Sequence, residues 1–301
     1  MGVMGNAKNL ISNKKLLRSV WEEVNPDKFS EMERYLPKTW SSIDSFEGDM
    51  EEENTYVYKP VLGSGGNGIV FKRGGEMVTS IRERESSGDR SSWVVQEFIH
   101  PYLHDNKKTH MRCITLVIVQ PNGTREFFMY DKMRIFTAAE PFDEDRLLEG
   151  GDNSFMLLTN MHQNKIYFQE NPENIGKRFS PSSCISDAET AMKGSKGVTS
   201  FESLYSSTKR MHSIIYSIIG DVIKCEPTDV SIYDDACFHM MASDTAVDRD
   251  GNPYFLEMNN AMGYNAWTEE EIAGFYSGVA GLVRGTASPY TVEDTSMWNL
   301  L

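Results

Sequence analysis

Apolar and polar positions along this chain alternate between a helical and a strand period, and the changes outline its elements. Leu16, Leu17, Val20 and Trp21 fall on one helical stripe within residues 8–25, with Ser12 or Asn13 as the cap and Pro26-Asp27 as the stop. Tyr35 to Trp40 reads as a short extended piece, and Glu47 to Glu53 as an acidic, solvated linker. Thr55 to Pro60 is a β-prone run that ends in a glycine-rich loop. Trp93 to Ile99 predicts a buried strand ended by His100-Pro101. Met111 to Gln120 and Glu126 to Tyr130 flank Pro121-Asn-Gly-Thr124, a hairpin signal, and Met133 to Ala139 predicts a further strand.

Residues 170–200 are rich in Ser, Gly, Asn and Lys and lack periodicity, which predicts a mobile loop with the character of a lid. From Phe201 to Cys225 the apolar residues, among them Leu204, Met211, Ile215, Ile219 and Val222, recur at helical spacing. His212 on that helix reads as structural. A second hairpin, Cys237 to Val247 and Tyr254 to Met258, turns at Asp250-Gly-Asn-Pro253. A final helix begins near Thr268, where Glu269-Glu-Glu271 favours the N-terminal turn.

Composition narrows the function classes. A chain of 301 residues, 40% hydrophobic and 11% aromatic, buries a sizeable core. Its formal net charge of −14 disfavours a nucleic-acid partner, which calls for a basic surface. No apolar run is long enough to span a bilayer and no secretory h-region opens the chain, so no membrane partner is expected. Met1-Gly2 suggests myristoylation, but Asn6 stands where Ser or Thr is wanted. Cys113, Cys184, Cys225 and Cys237 have neither CxxC nor metal-like spacing and read as reduced thiols of a cytoplasmic protein.

The candidate chemistry gathers at three places. Gly63, Gly65, Gly66 and Gly68 remove the Cβ atoms that would keep backbone N–H groups from an anion, and Lys59 adds a point charge beside them. Glycine loops also serve as plain hairpin turns, so this pattern gains weight only from its company. In the second hairpin, Asp248 lies before the turn, while Glu257 and Asn259 share a strand face after it. Together they make a hard-oxygen set suited to Mg²⁺ with phosphate oxygens. Between these, Lys108, His110 and Arg112 share one strand face, followed by Arg134, which suits a phosphate or carboxylate clamp. A protein-kinase reading of the glycine loop fails, because the placed lysine precedes the loop and neither HRD nor DFG occurs.

The ordered set resembles the tubulin–tyrosine ligase-like family of the ATP-grasp superfamily. It comprises Lys59, the glycine loop, Gln96-Glu97-Phe98-Ile99, Lys108-x-His-x-Arg112, Arg134, Leu158-Thr-Asn160 and Asp244-Thr-Ala-Val-Asp248 with Phe255-Leu-Glu-Met-Asn259. Leu36-Pro-Lys-Thr-Trp40 is similar to the family's Pro-x-Thr stretch, and Lys14, or equally Lys15, to a phosphate-contacting lysine.

The resemblance implies an α+β ATP-grasp fold, with nucleotide between two small, mainly antiparallel sheets and a reduced N-terminal lobe. The whole of 1–301 is then one catalytic domain: a reduced segment at 1–50, a glycine-loop lobe at 51–100, and a C-terminal lobe with the metal hairpin at 101–301. ATP is expected against Lys14, Lys59, Gly65, Gly66, Gly68, Lys108 and Asn160, with adenine at Gln96, Glu97, Phe98 and Ile99. Mg²⁺ is expected on Asp248, Glu257 and Asn259. Arg112 and Arg134 are the expected catalytic residues, one steadying an oxyanion and the other a substrate carboxylate.

The implied reaction is ATP- and Mg-dependent ligation of a free amino acid to a protein or peptide through an acylphosphate. Tubulin is the acceptor only by family analogy, and a homo-oligomer is compatible with a shortened lobe. His110 stands where the family usually has Asp, and Leu157 where it often has His, so an ATP-binding relic without ligation is the alternative.

Overall fold

Two antiparallel sheets carry the described part of the chain in this computed structural model. The described residues are 21–61, 65–88, 92–120, 122–149, 153–172, 183–184, 201–220, 223, 237–259, 269–287 and 298–301. Lys14, most of the first helical stripe and nearly all of the 170–200 stretch lie outside them.

The N-terminal stripe keeps Trp21, fully buried against Phe255 at 5.4 Å between ring centroids. Pro26 opens a helix instead of only stopping one: α1 (Pro26–Met32) has Asn25 as N-cap, its side chain accepting from the Lys28 amide at 3.1 Å. Proline suits that first position because its missing N–H has no intrahelical partner there. The acidic stretch expected to be linker is in part helix. In α2 (Ile43–Asp49) Ser42 caps the start, and Phe46 is buried edge-on to Trp40 and Tyr56.

The small sheet runs β1-β4-β2-β3 from β1 (Thr39–Trp40), β2 (Thr55–Pro60), β3 (Val70–Arg73) and β4 (Trp93–Glu97). Its core is closed by α3 (Gly74–Ser86), whose Met77, Val78 and Ile81 pack on Tyr58 and Val95.

The large sheet is built on β6 (Lys107–Val119), flanked on one edge by β10 (Cys237–Val247) and then β11 (Pro253–Asn259). Along its other edge β6 first pairs with β8 (Arg134–Thr137) and then with β7 (Arg125–Tyr130), which carries β12 (Trp298–Leu300). Two short strands, β5 (Leu103–His104) and β9 (Ser183–Cys184), extend it. The β5–β6 turn holds Asp105 and Asn106 at φ 50° and 59°, a left-handed conformation these residues tolerate.

Beyond its polar start β6 is apolar on both faces because a helix covers each one. Val117 and Val119 pack on α7 (Phe201–Ile219), and Ile114, Leu116 and Ile118 on α8 (Glu269–Ala287) with Trp298. Three further helices, α4 (Glu144–Glu149), α5 (Ser154–Leu157) and α6 (Met161–Glu170), follow β8, and residues 157–160 at the junction of the last two wall one side of the cleft described below.

The chain passes between the sheets at residues 98–102. The Phe98 amide still donates to Thr55 O of the small sheet at 3.2 Å. Two residues on, His100 O accepts from the Arg249 amide, Pro101 bridges Asp248, and the Tyr102 amide donates to Val247 O at 2.8 Å. Cys113 is free and buried, whereas Cys237 is disulfide-bonded, so the expectation of reduced thiols throughout does not hold at Cys237. Among the described residues no helix is long and apolar enough to cross a membrane.

Candidate active site

A cleft opens between the sheets, roofed by the β2–β3 loop and floored by β6, β10 and β11. Lys59, Gly65, Gly66, Lys108, Asn160 and Glu257 line it, with Gln96, Glu97, Phe98 and Ile99 along one wall. His110, Thr159 and Asp244 line it as well.

The glycine loop is the hairpin connection between β2 and β3, and three of its glycines need positive φ: Gly65 at 69°, Gly66 at 83° and Gly68 at 75°. A Cβ on Gly66 would sit 2.8 Å from Asn160 Oδ1, so the loop rests directly on the opposite wall. Gly68 does not line the cleft. A Cβ there would meet Pro60 Cγ at 2.9 Å, so its role is to close the hairpin.

Lys59 Nζ donates to Gln96 Oε1, and Gln96 Nε2 donates to Thr39 Oγ1 at 3.0 Å. Lys108 Nζ donates to Leu157 O at 2.9 Å, and burial pushes its pKa down to about 8. His110 lies flat on Phe136, with Nδ1 2.6 Å from Thr159 Oγ1 and Nε2 3.7 Å from Asp244 Oδ1. Burial lowers its pKa to about 4, outweighing the pull of Asp244, so the imidazole is neutral near pH 7.

Four residues form a row across four strands, Asp244 and Glu257 on the cleft wall and two arginines beyond it. Arg134 on β8 is the partner of Arg112 on β6, Arg112 of Asp244 on β10, and Asp244 of Glu257 on β11. Partners in an antiparallel pair point to one face, so two cations are followed by two anions. Arg112 donates to Asp244 from Nε at 2.8 Å and from Nη2 at 2.9 Å, a two-pronged pair. Burial disfavours the Arg112 charge most strongly, yet the hydrogen bonds and charge of Asp244, then Glu257, raise its pKa overall. Arg134 is only 2% exposed and does not line the cleft, and neither does Arg112.

The oxygen set differs from the expected one. Asp248 is consumed by its turn: Oδ1 accepts from the amides of Asp250 and Asn252 at 2.9 and 2.8 Å, and Oδ2 from Asn252 Nδ2 at 2.9 Å. It does not line the cleft, so its placement in a metal site is corrected. Asp244 stands opposite Glu257 instead, and Asn259 Nδ2 donates to Asp244 Oδ2 at 3.2 Å. A β-bulge at Asp244/Thr245 creates that pairing. Val247 faces Pro253, but Leu256 is the extra residue, and the register beyond it shifts so that Asp244 meets Glu257. Two carboxylates and an amide fit a hard cation that also takes phosphate oxygens and water. No cage of three or more His, Cys, Asp or Glu side chains occurs among the described residues. Lys14 lies outside the described residues.

Two antiparallel sheets enclosing a cleft, with a glycine loop and Lys59 on one side and Lys108 with the paired carboxylates on the other, define an α+β fold of the ATP-grasp type. The profile of the tubulin-tyrosine ligase family matches residues 6–261, and the chain belongs to that family. It is 26% identical over 275 residues to a probable tubulin polyglutamylase, ttll-9, of Caenorhabditis elegans, covering 87% of this chain and 60% of that protein. It is 25% identical over 268 residues to tubulin polyglutamylase TTLL7 of Mus musculus, covering 79% of this chain and 26% of that protein. The TTLL7 of Homo sapiens is 21% identical over 265 residues. The chain thus spans 60% of the worm relative and about a quarter of the mouse one.

Proposed function

We propose that the protein is an ATP-dependent ligase joining an amino acid to a protein or peptide through an amide or isopeptide bond. The observation that carries this is the meeting, in one cleft, of a phosphate-facing set (Lys59, Lys108, Gly65, Gly66) with the Asp244–Glu257 carboxylate pair. Family membership and relatives named as polyglutamylases support the same reaction class.

ATP would lie with its purine along Gln96 to Ile99, where Phe98 and Phe142 stack at 12° between planes and Val57 and Phe71 add apolar wall. Lys59 and Lys108 would take phosphate oxygens as point charges, and the glycine loop would add backbone N–H groups. Asp244, Glu257 and Asn259 would hold Mg²⁺, which when bound neutralises the phosphates during phosphoryl transfer. Arg112, fixed by Asp244, would steady the oxyanion that forms as an amine attacks the activated carboxyl carbon. The expected contact of Arg134 with a substrate carboxylate is not carried forward, because its side chain is buried behind the cleft wall.

The acceptor is a protein. Tubulin follows from family analogy, although a chain of net charge −14 gains nothing by simple attraction to an acidic surface. One observation favours a second outcome, nucleotide binding without ligation: neutral His110 stands in the acidic position of the family strand. The test is ADP release from ATP with pooled amino acids and candidate acceptor proteins, followed by mass spectrometry of the acceptors. Release that depends on both an amino acid and an acceptor supports ligation. ATP binding with no such release supports the second reading.

A further inference from the structure

Lys59, the lysine just before the glycine loop, is held by its neighbours. Thr39 Oγ1 donates its single proton to Pro37 O at 2.8 Å, which leaves the oxygen as an acceptor for Gln96 Nε2 at 3.0 Å. That contact in turn decides which end of the Gln96 amide points away from Thr39: the carbonyl oxygen, which accepts from Lys59 Nζ. An amide can sit in either of two orientations, and the surrounding partners select one. The register supports the chain of contacts. Thr39 pairs with Gln96 on β4, and Gln96 pairs with Val57, which shares a strand face with Lys59. Gln96 is 8% exposed, so reversing its amide would aim buried N–H donors at an ammonium group.

We infer that Thr39 is a positioning residue for Lys59: by fixing the orientation of the Gln96 amide it holds the Lys59 ammonium at the glycine loop. The donors run in one direction, from Lys59 to Gln96 to Thr39 to Pro37, so each bond strengthens the next. Thr39 does not line the cleft. It sits on the edge strand of the small sheet and acts only through its neighbours. The role in nucleotide binding rests on the ATP-site reading above, whereas the effect on the Lys59 amine does not.

Two measurements separate these. The first is acetylation of Lys59 by acetic anhydride in the ligand-free protein, followed by peptide mass spectrometry across pH. Thr39→Val keeps the β-branched shape but removes the hydroxyl, and it should raise the Lys59 acetylation rate about three- to five-fold, the scale of one lost hydrogen bond. Thr39→Ser should restore the wild-type rate, and Thr39→Ala provides the same loss if the valine variant folds poorly. Equal rates in the wild type, Thr39→Val and Thr39→Ala overturn the inference whether or not the protein binds ATP. The second is a double-mutant cycle on ATP affinity. Thr39→Val should weaken binding about five-fold in the wild type and not at all in a Lys59→Ala background. Equal losses in both backgrounds make Thr39 a general strand residue and overturn the inference. If the wild type binds no ATP while acetylation responds as expected, the ATP-site reading falls and the positioning of Lys59 stands.

Discussion

Arg112 grips both oxygens of Asp244, and Asp244 faces Glu257 across the β10–β11 hairpin. The arginine therefore orients one of the two carboxylates that would meet a metal. Asp244→Asn should abolish the Mg²⁺ dependence of ATP binding and cost about 1–3 kcal/mol of stability, since a charged, buried hydrogen-bond pair is weakened. Asp248→Asn should keep that dependence and lose about 1 kcal/mol, because only the turn is loosened. Calorimetric titration of ATP with and without Mg²⁺ checks the pair. The reverse pattern would return the metal to Asp248.

Lys108 gives a pH signature. Burial holds its amine near pKa 8, so its charge is lost between pH 7 and 9, and ATP affinity should fall about ten-fold over that range. Lys108→Arg stays charged and should flatten the profile. The stability sign is opposite: from about pH 8 up to 10.5 the native lysine is neutral while the unfolded one still binds a proton, so stability rises with pH. A flat affinity profile in the wild type would remove Lys108 from the phosphate site.

Two neutral histidines predict acid lability. His110 and His212 both have native pKa values lowered to about 4 by burial, against an ordinary value of 6.5. Between these values the unfolded chain binds more protons, so stability is full above pH 6.5 and lost as pH falls toward 4. Each contributes up to about 3 kcal/mol of that loss. His212 Nδ1 donates to Thr208 O at 2.9 Å and Nε2 accepts from Ser243 Oγ at 2.6 Å, far from solvent. His212→Gln should halve the pH slope measured by thermal melts from pH 7 to pH 4.

Gly66→Ala should impair nucleotide binding with the fold intact. At φ 83° an L-residue is strained by about 1–2 kcal/mol, and the new methyl meets Asn160 Oδ1 at 2.8 Å. Gly123→Ala is the control, since that turn has similar φ and open space around it. Equal ATP affinities in the two variants would argue against the loop as a phosphate cradle.

Much of the architecture was legible from periodicity, because the long elements bury whole stripes. Examples are the Leu204-to-Ile219 face of α7 and the two hairpins. What escaped lacked its own local signal. The start of α3 has no side-chain cap, and Gly74 is there for space, since a Cβ would lie 2.5 Å from Glu51 O. A single buried side chain, Phe46, anchors α2, and β12 is three residues long and exists by pairing with β7. In the site, alternation rightly put Lys108, His110 and Arg112 on one face. It misled at Asp244, because uninterrupted pairing would set Ser243 opposite Glu257, and only the bulge brings Asp244 round. The complementary partner, Arg112, was the available clue.

The chain crosses between the sheets twice, after Tyr35, which packs with α7, and at Ile99, and the Glu97 amide ties the two crossings together by donating to Lys38 O at 2.9 Å. Phe98 is bonded to Thr55 on one side of Ile99, while His100, Pro101 and Tyr102 are laced to the β10–β11 tip on the other. Any swing of the glycine-loop sheet against the rest would turn on this pair of crossings, and Ile99, in one of them, is itself part of the cleft wall. A ring seated there would rest on the axle of the movement, and the glycine loop, far out on the lever, would travel the greatest distance toward the carboxylates.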